Sequence, residues 1–214
     1  MIRAAQPLRA VVSDFGGVIT LPLNEAFARA HEEMGVPLTA LGDAMKLAAS
    51  RSDEPPLFKL ERGQLTDPEF MAIMQAAISE VVGREVALDN YGERLMRELR
   101  ANEALLDYYA GLKARGIRLA ILTNNVKEWQ PRWMPLLPSG MFELIVDSGF
   151  EGVRKPEPEI YERTLERLGL PAGACAFVDD LEVNVRAAAA LGLHGVWFRS
   201  TEQTVADLDA LQVG

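Results

Sequence analysis

The chain is short of the residue types that many functions require. It has one cysteine, two histidines and no run of ~18 uninterrupted apolar residues. A single cysteine cannot form an intrachain disulfide. Cys175 lies inside the apolar stretch Ala174-Cys175-Ala176-Phe177-Val178, where a thiol reads as buried and inert rather than nucleophilic. His31 and His194 have no second histidine nearby, so packing or surface roles are expected of both rather than catalysis or metal binding. Basic side chains are outnumbered 22 to 31, for a formal charge of −9. That balance argues against nucleic acid or an anionic membrane as partner, while leaving room for a local basic pocket around a small anion. The opening residues Met1-Ile2-Arg3-Ala4-Ala5-Gln6-Pro7 lack the apolar core of a signal peptide, and the cytoplasm is the expected location.

What is present is enough for a full core. With 214 residues and 49% hydrophobic content, one domain, or one domain carrying an inserted lobe, is expected. From Glu103 onward, helical and strand patterns alternate. Leu105, Leu106, Tyr109 and Leu112 have helical spacing before Gly116, and Ile117–Leu122 is a short apolar strand. Phe142–Val146, Ala176–Val178 and Gly195–Phe198 are further strands, with helices after Pro158 and over Leu181–Leu191. This alternation predicts an α/β fold, a three-layer Rossmann-like parallel sheet. Between Leu21 and Asn102 only helical runs are found, among them Asn24–Met34 and Asp67–Val82. The second opens with the capping box Thr66-Asp67-Pro68-Glu69. The expected division is therefore a core of residues 1–19 and 103–214, interrupted by a small helical domain at 20–102.

In an open parallel sheet, ligands bind at the carboxyl ends of the strands. Asp14-Phe15-Gly16-Gly17 follow the first strand, Thr123-Asn124-Asn125 the second, and Asp179-Asp180 the strand Ala176–Val178, while Arg154-Lys155 precede Pro156 in a loop. Taken singly, each has a plain structural reading as a turn former, a helix start or a surface cation. Taken together on one edge, they fit a phosphate site. Adjacent carboxylates near Asp14 would repel one another unless a hard cation with oxygen ligands sat between them, and Mg²⁺ suits that description. Thr123 and Asn124 can donate to phosphate oxygens, and Lys155 supplies a point charge. An ionised aspartate beside a neutralised phosphorus can act as a covalent nucleophile.

The set Asp14, Thr123, Lys155 and Asp179-Asp180 resembles the four motifs of the haloacid dehalogenase superfamily. More narrowly, Ile121-Leu122-Thr123-Asn124-Asn125, Gly152–Tyr161 and Phe177–Asn184 are similar to the phosphatase domain at the N-terminus of soluble epoxide hydrolases and its bacterial relatives. Leu60-Glu61-Arg62-Gly63-Gln64-Leu65-Thr66 is similar to a recurrent stretch of that family's helical cap. The resemblance implies an enzyme, a Mg²⁺-dependent phosphatase acting on a small phosphorylated metabolite. It makes Asp14 the nucleophile, and Asp14, the Gly16 carbonyl and Asp180 the metal ligands. Thr123, the Asn124 backbone amide and Lys155 would bind the phosphoryl group, with Asp179 and Asn184 orienting ligands or water. The helical domain would close over the site as a cap.

One position departs from the pattern. Phosphatases of this superfamily usually carry a second aspartate two residues after the nucleophile as general acid and base, and this chain has Gly16. Loss of such a group costs about 10²–10⁴-fold in rate. Two other readings accordingly stand beside the phosphatase. One is a hydrolase attacking carbon, as dehalogenases do; the other is a weak enzyme that binds a phosphorylated ligand and regulates. Trp129 and Trp133 read as packing residues. Glu61, Arg62 and Gln64 read as a solvated segment that includes the best candidates to reach a leaving group.

Overall fold

A computed structural model describes residues 7–212. The six leading residues of the expected core, which make up all of the N-terminal stretch but Pro7, and its last two residues lie outside the described part. Among the described residues five strands form one parallel sheet: β1 (Ala10–Ser13), β2 (Arg118–Thr123), β3 (Leu144–Asp147), β4 (Cys175–Asp179) and β5 (His194–Trp197). The strand order is β3-β2-β1-β4-β5. The chain thus runs outward from β1 on one side, then returns to pair β4 with the other side of β1. That reversal places a crevice beside the end of β1, where doubly wound sheets bind ligands.

Both faces of the sheet are covered. Val11, Leu119, Ile121, Ala176 and Val178 pack into one cluster of buried side chains, and Ala10, Val12, Ala120, Leu122 and Phe177 into another. Alternate residues of each strand therefore go to opposite layers, the period-two consequence of the pleat. The layers are built from α6 (Glu103–Ala114), α9 (Pro158–Leu168), α10 (Glu182–Ala190) and α11 (Thr201–Gln212), with two single-turn helices, α7 (Gln130–Trp133) and α8 (Ser148–Glu151). The expected strands are all present, displaced by a residue or two. Cys175 is buried, and burial pushes its thiol up to about 11, which keeps it inert.

Residues 20–102 contribute helices and one isolated bridge. α1 (Leu23–Glu33), α2 (Leu38–Ser50), α3 (Pro56–Glu61), α4 (Asp67–Val82) and α5 (Tyr91–Glu98) follow one another. The chain departs and returns side by side, with Thr20 bridged to Ala101 in antiparallel fashion and the Asn102 N–H donating to the Ile19 carbonyl at 2.7 Å. α4 starts at the expected capping box, where Thr66 Oγ1 accepts from the Glu69 N–H at 3.4 Å and Glu69 Oε2 accepts from the Thr66 N–H at 2.8 Å. His31 is a packing residue, buried with Nε2 3.2 Å from the Tyr91 hydroxyl. Trp133 is wholly buried against Phe15, their ring centroids 4.7 Å apart, and Trp129 is buried as well. Among the described residues, no helix is long and apolar enough to cross a membrane.

Candidate active site

The strand register assembles the site. Ser13 pairs with Val178 across β1 and β4, so Asp14 and Asp179, one residue on, stand side by side at the carboxyl edge. Thr123 ends β2 opposite Asp147 of β3. Lys155 reaches in from the loop before α9 and is almost wholly buried. Its Nζ lies 2.7 Å from Asp14 Oδ1 and 2.6 Å from Asp179 Oδ2. A cation that reads in sequence as a loop lysine is the central charge of the site.

Asp179 is saturated with donors. Its Oδ1 accepts from the Leu181 N–H at 2.8 Å and from Asn184 Nδ2 at 3.0 Å, and its Oδ2 accepts from Asn184 as well as Lys155. Among the described residues no side chain donates to Asp14 Oδ2 or to the Asp180 carboxylate. Carboxylate oxygens of Asp14, Asp179 and Asp180 lie within 4.8 Å of one another. Three acids this close, facing one ammonium, fit a hard divalent cation such as Mg²⁺, which takes oxygen ligands and relieves their repulsion. The two residues with free oxygens are the ones able to ligate it, and Asp179 has its lone pairs committed elsewhere.

The electrostatics carry the same mark. Burial, reinforced by the neighbouring Asp179 and Asp180 and opposed by Lys155, raises the Asp14 carboxyl to about 7. Burial and Asp179 likewise raise Asp180 above the ordinary carboxylate range. Burial acts against the Lys155 ammonium, yet Asp14 and Asp179 hold its pKa above the usual lysine value. The protein thus concentrates charge where charge is unfavourable, as functional sites do.

The backbone around Asp14 gives the two glycines different jobs. Gly17 has φ of +77°, and a Cβ there would come within 2.7 Å of Asp180 Oδ2. Gly16 has φ −74° and ψ 121°, a conformation open to any residue, and its Cβ would meet only the Leu23 side chain at 3.1 Å. The tight approach therefore depends on Gly17. Gly16 is distinguished only by the side chain it lacks.

Three features differ from the sequence reading. The Asn124 side chain is not available to a ligand, because its Nδ2 donates to the Lys155 carbonyl at 2.9 Å and its Oδ1 accepts from the Lys155 N–H at 2.8 Å. Glu61 and Arg62 are not solvated. Arg154 Nε donates to Glu61 at 2.6 Å, and Arg62 donates through Nε to Glu157 at 3.0 Å and through Nη1 to Glu54 at 2.7 Å. Gln64 alone of that trio is exposed. The third feature is Asp147, which sequence reasoning passed over. It is buried beside Thr123, its Oδ1 accepts from the Gly149 N–H at 3.0 Å, its Oδ2 has no partner among the described residues, and burial raises it to about 6. The signal was an apolar run ending on a carboxylate, the same one that marks Asp14.

A reversing parallel sheet with a helical insertion after its first strand and acids at its carboxyl edge defines a class of Rossmann-like hydrolases. Residues 8–192 match the haloacid dehalogenase-like hydrolases, and the chain belongs to that family. It is 28% identical over 205 residues to the mouse (Mus musculus) acyl-CoA dehydrogenase family member 10, covering 95% of this chain and 19% of that one. It is 24% identical over 217 residues to bifunctional epoxide hydrolase 2 of the pig (Sus scrofa), covering 94% of this chain and 38% of the relative. The chain thus spans well under half the length of either. Among solved structures, the L-2-haloacid dehalogenase RSc1362 superposes with a TM-score of 0.68 at 19% identity, over 91% of this chain and 87% of that one. A HAD family enzyme of Bacteroides thetaiotaomicron in complex with magnesium and inorganic phosphate gives 0.63 at 20%, over 89% and 93%. At such identities these two likenesses speak for the fold.

Proposed function

We propose that this chain is a Mg²⁺-dependent phosphomonoesterase for a small phosphorylated metabolite, with Asp14 as nucleophile. The observation that carries the reading is the Lys155 ammonium bridging Asp14 and Asp179 while, among the described residues, no side chain donates to Asp14 Oδ2 or to the Asp180 carboxylate. That arrangement leaves one acid poised to attack, one to hold metal with it, and one fixed as a support.

When bound, Mg²⁺ lowers the cost of bringing a phosphate dianion against carboxylates. Asp14, the Gly16 carbonyl and Asp180 would hold it. The Thr123 hydroxyl, the Asn124 N–H and Lys155 draw charge from the phosphoryl oxygens as it spreads onto them in the transition state. A carboxylate oxygen of Asp14 forms a bond to phosphorus as the ester P–O bond breaks, giving an aspartyl-phosphate and a leaving alkoxide. Water then attacks phosphorus and releases Asp14 and inorganic phosphate. The helices of residues 20–102 act as the cap that excludes bulk water. Glycine at position 16 offers no side chain to protonate the leaving alkoxide.

Hydrolysis of p-nitrophenyl phosphate should require Mg²⁺ and stop on addition of a chelator. Loss of turnover in Asp14→Asn, with retention of the fold, is expected alongside. The second reading is attack at carbon, against which stand the Asp179-Asp180 pair and the lack of an aromatic residue at position 16. Undiminished hydrolysis in chelated protein, on haloacids rather than phosphates, would establish that reading instead.

A further inference from the structure

Lys155 is held at both ends of its side chain. Its ammonium is fixed by Asp14 and Asp179, and its backbone is gripped by the Asn124 amide. The residues flanking it are held by a different part of the molecule. Arg154, one residue before, pairs with Glu61 and stacks its guanidinium 3.9 Å above the Phe58 ring. Glu157, two residues after, pairs with Arg62, whose remaining nitrogen is taken by Glu54. Glu61 and Arg62 stand at the end of α3, where Gly63 presses on Gly149 so closely that a Cβ would lie 2.4 Å from the Gly149 carbonyl oxygen. The side chains of Arg154, Glu61 and Arg62 are each less than a fifth exposed. Such pairs are screened by salt far less than surface ones.

We propose that Glu61 and Arg62 are positioning residues: their pairs with Arg154 and Glu157 clasp the loop on either side of Lys155 and fix where its ammonium stands. Contact between the helical insertion and the sheet layer is thereby converted into alignment of the charge that faces the transferring phosphoryl group. The insertion acts on the chemistry without touching the reacting atoms. A displacement of about 1 Å in such a group can cost on the order of 10²-fold in rate. The inference rests on the reading of Lys155 as the phosphoryl cation, so its first test is independent of turnover.

The test uses Glu61→Gln, Glu157→Gln and the double variant, which keep side-chain size, with Arg62→Lys as a conservative rescue. An ammonium clamped between two carboxylates exchanges its protons slowly, so the ¹⁵Nζ resonance of Lys155 reports its position directly. The double variant is expected to shift or broaden that resonance, and Arg62→Lys to retain most of it. With Mg²⁺, the double variant should lower kcat about 10- to 100-fold, equally for acetyl phosphate and p-nitrophenyl phosphate, with KM changed less than about twofold. An unchanged Lys155 resonance overturns the proposal, including where the unfolding midpoint falls, because that outcome describes a merely structural clasp. A rate loss confined to the larger substrate overturns it too, since the pairs would then be holding the insertion over the leaving group. If Lys155 responds but even the native protein hydrolyses no phosphate, the clasp stands and the phosphatase reading falls.

Discussion

At the carboxyl edge of the sheet, Asp14, Lys155 and Asp179 are buried and joined to one another, to Asn184 and to the start of α10. On the helices of the insertion the same residue types meet in the open. Arg51 and Glu80 bridge α2 and α4 with more than half of each side chain exposed, and Arg94 and Arg97 both turn to an exposed Glu33. An ion pair therefore means different things in the two regions. In water, pairs of this kind contribute little and are weakened further by salt. Inside, removing one partner leaves buried donors without an acceptor and weakens the compensation of a buried charge. The insertion exposes most of its charge and keeps a few pairs that meet the core, while the sheet edge gathers three acids around one ammonium.

The largest effect should come from breaking that contrast at its strongest point. Asp179→Ala removes a wholly buried acceptor that satisfies Lys155, Asn184 and the Leu181 N–H together. It should cost about 3–5 kcal/mol of unfolding free energy, whereas Glu80→Gln should leave the urea midpoint where it is. Asp180→Ala separates stability from metal binding in the same pair of residues. Because burial and Asp179 already disfavour its charge, the variant should fold at least as well as the native chain yet lose Mg²⁺ affinity. Equal midpoints for the Asp179 and Glu80 variants would end the distinction drawn between the regions.

Gly16→Asp addresses chemistry rather than stability. The backbone at Gly16 admits a side chain, and the nearest obstacle is the flexible Leu23. The new carboxyl should raise kcat for alkyl phosphates by some part of the ~10²–10⁴ available from general acid catalysis. Aryl phosphates, whose leaving group scarcely needs a proton, should gain much less. Equal gains for both would point to improved binding, and a loss for both to a need for the space itself.

The fold was legible because four of the five strands are short apolar runs with a polar residue at the carboxyl end, and because residues 20–102 carry several runs of helical spacing and no strand pattern. The clustering of acids at the candidate site was legible for the same reason, since Asp14 and Asp179 each close such a run. The partners of charged side chains were not. Glu61 and Arg62 sit in a charged stretch whose local pattern is that of a solvated helix end, and their partners are 93 and 95 positions away. Nothing local records a salt bridge over that separation. The burial of Lys155 was hidden likewise, because a loop lysine before proline shows nothing of what stands above it. The need for glycine belonged to Gly17 rather than Gly16, a matter of φ and of the Asp180 oxygen, which one sequence does not encode.

Asp147 offers the smallest and cleanest test, because it titrates beside the site without being placed among the metal ligands. Its carboxyl is raised from 3.8 to about 6 by burial. Between those values the folded protein holds a proton that the unfolded chain has released, so stability falls as pH rises through the window and the loss is complete above it. A shift of roughly two units corresponds to about 3 kcal/mol. Asp147→Asn keeps the oxygen that accepts from the Gly149 N–H and carries no charge at any pH. Its amide nitrogen adds a fixed cost at the orphaned Oδ2 position, but that cost does not vary with pH. The difference in unfolding free energy between variant and native chain should therefore move in favour of the variant by about 2.4 kcal/mol from pH 4 to pH 7.5. Groups that titrate identically in both proteins, Asp14 among them, cancel from the difference. Urea unfolding at a series of pH values measures it. A difference that stays constant would mean that Asp147 keeps its charge in the folded protein, and that some group stands against the free oxygen to hold it there.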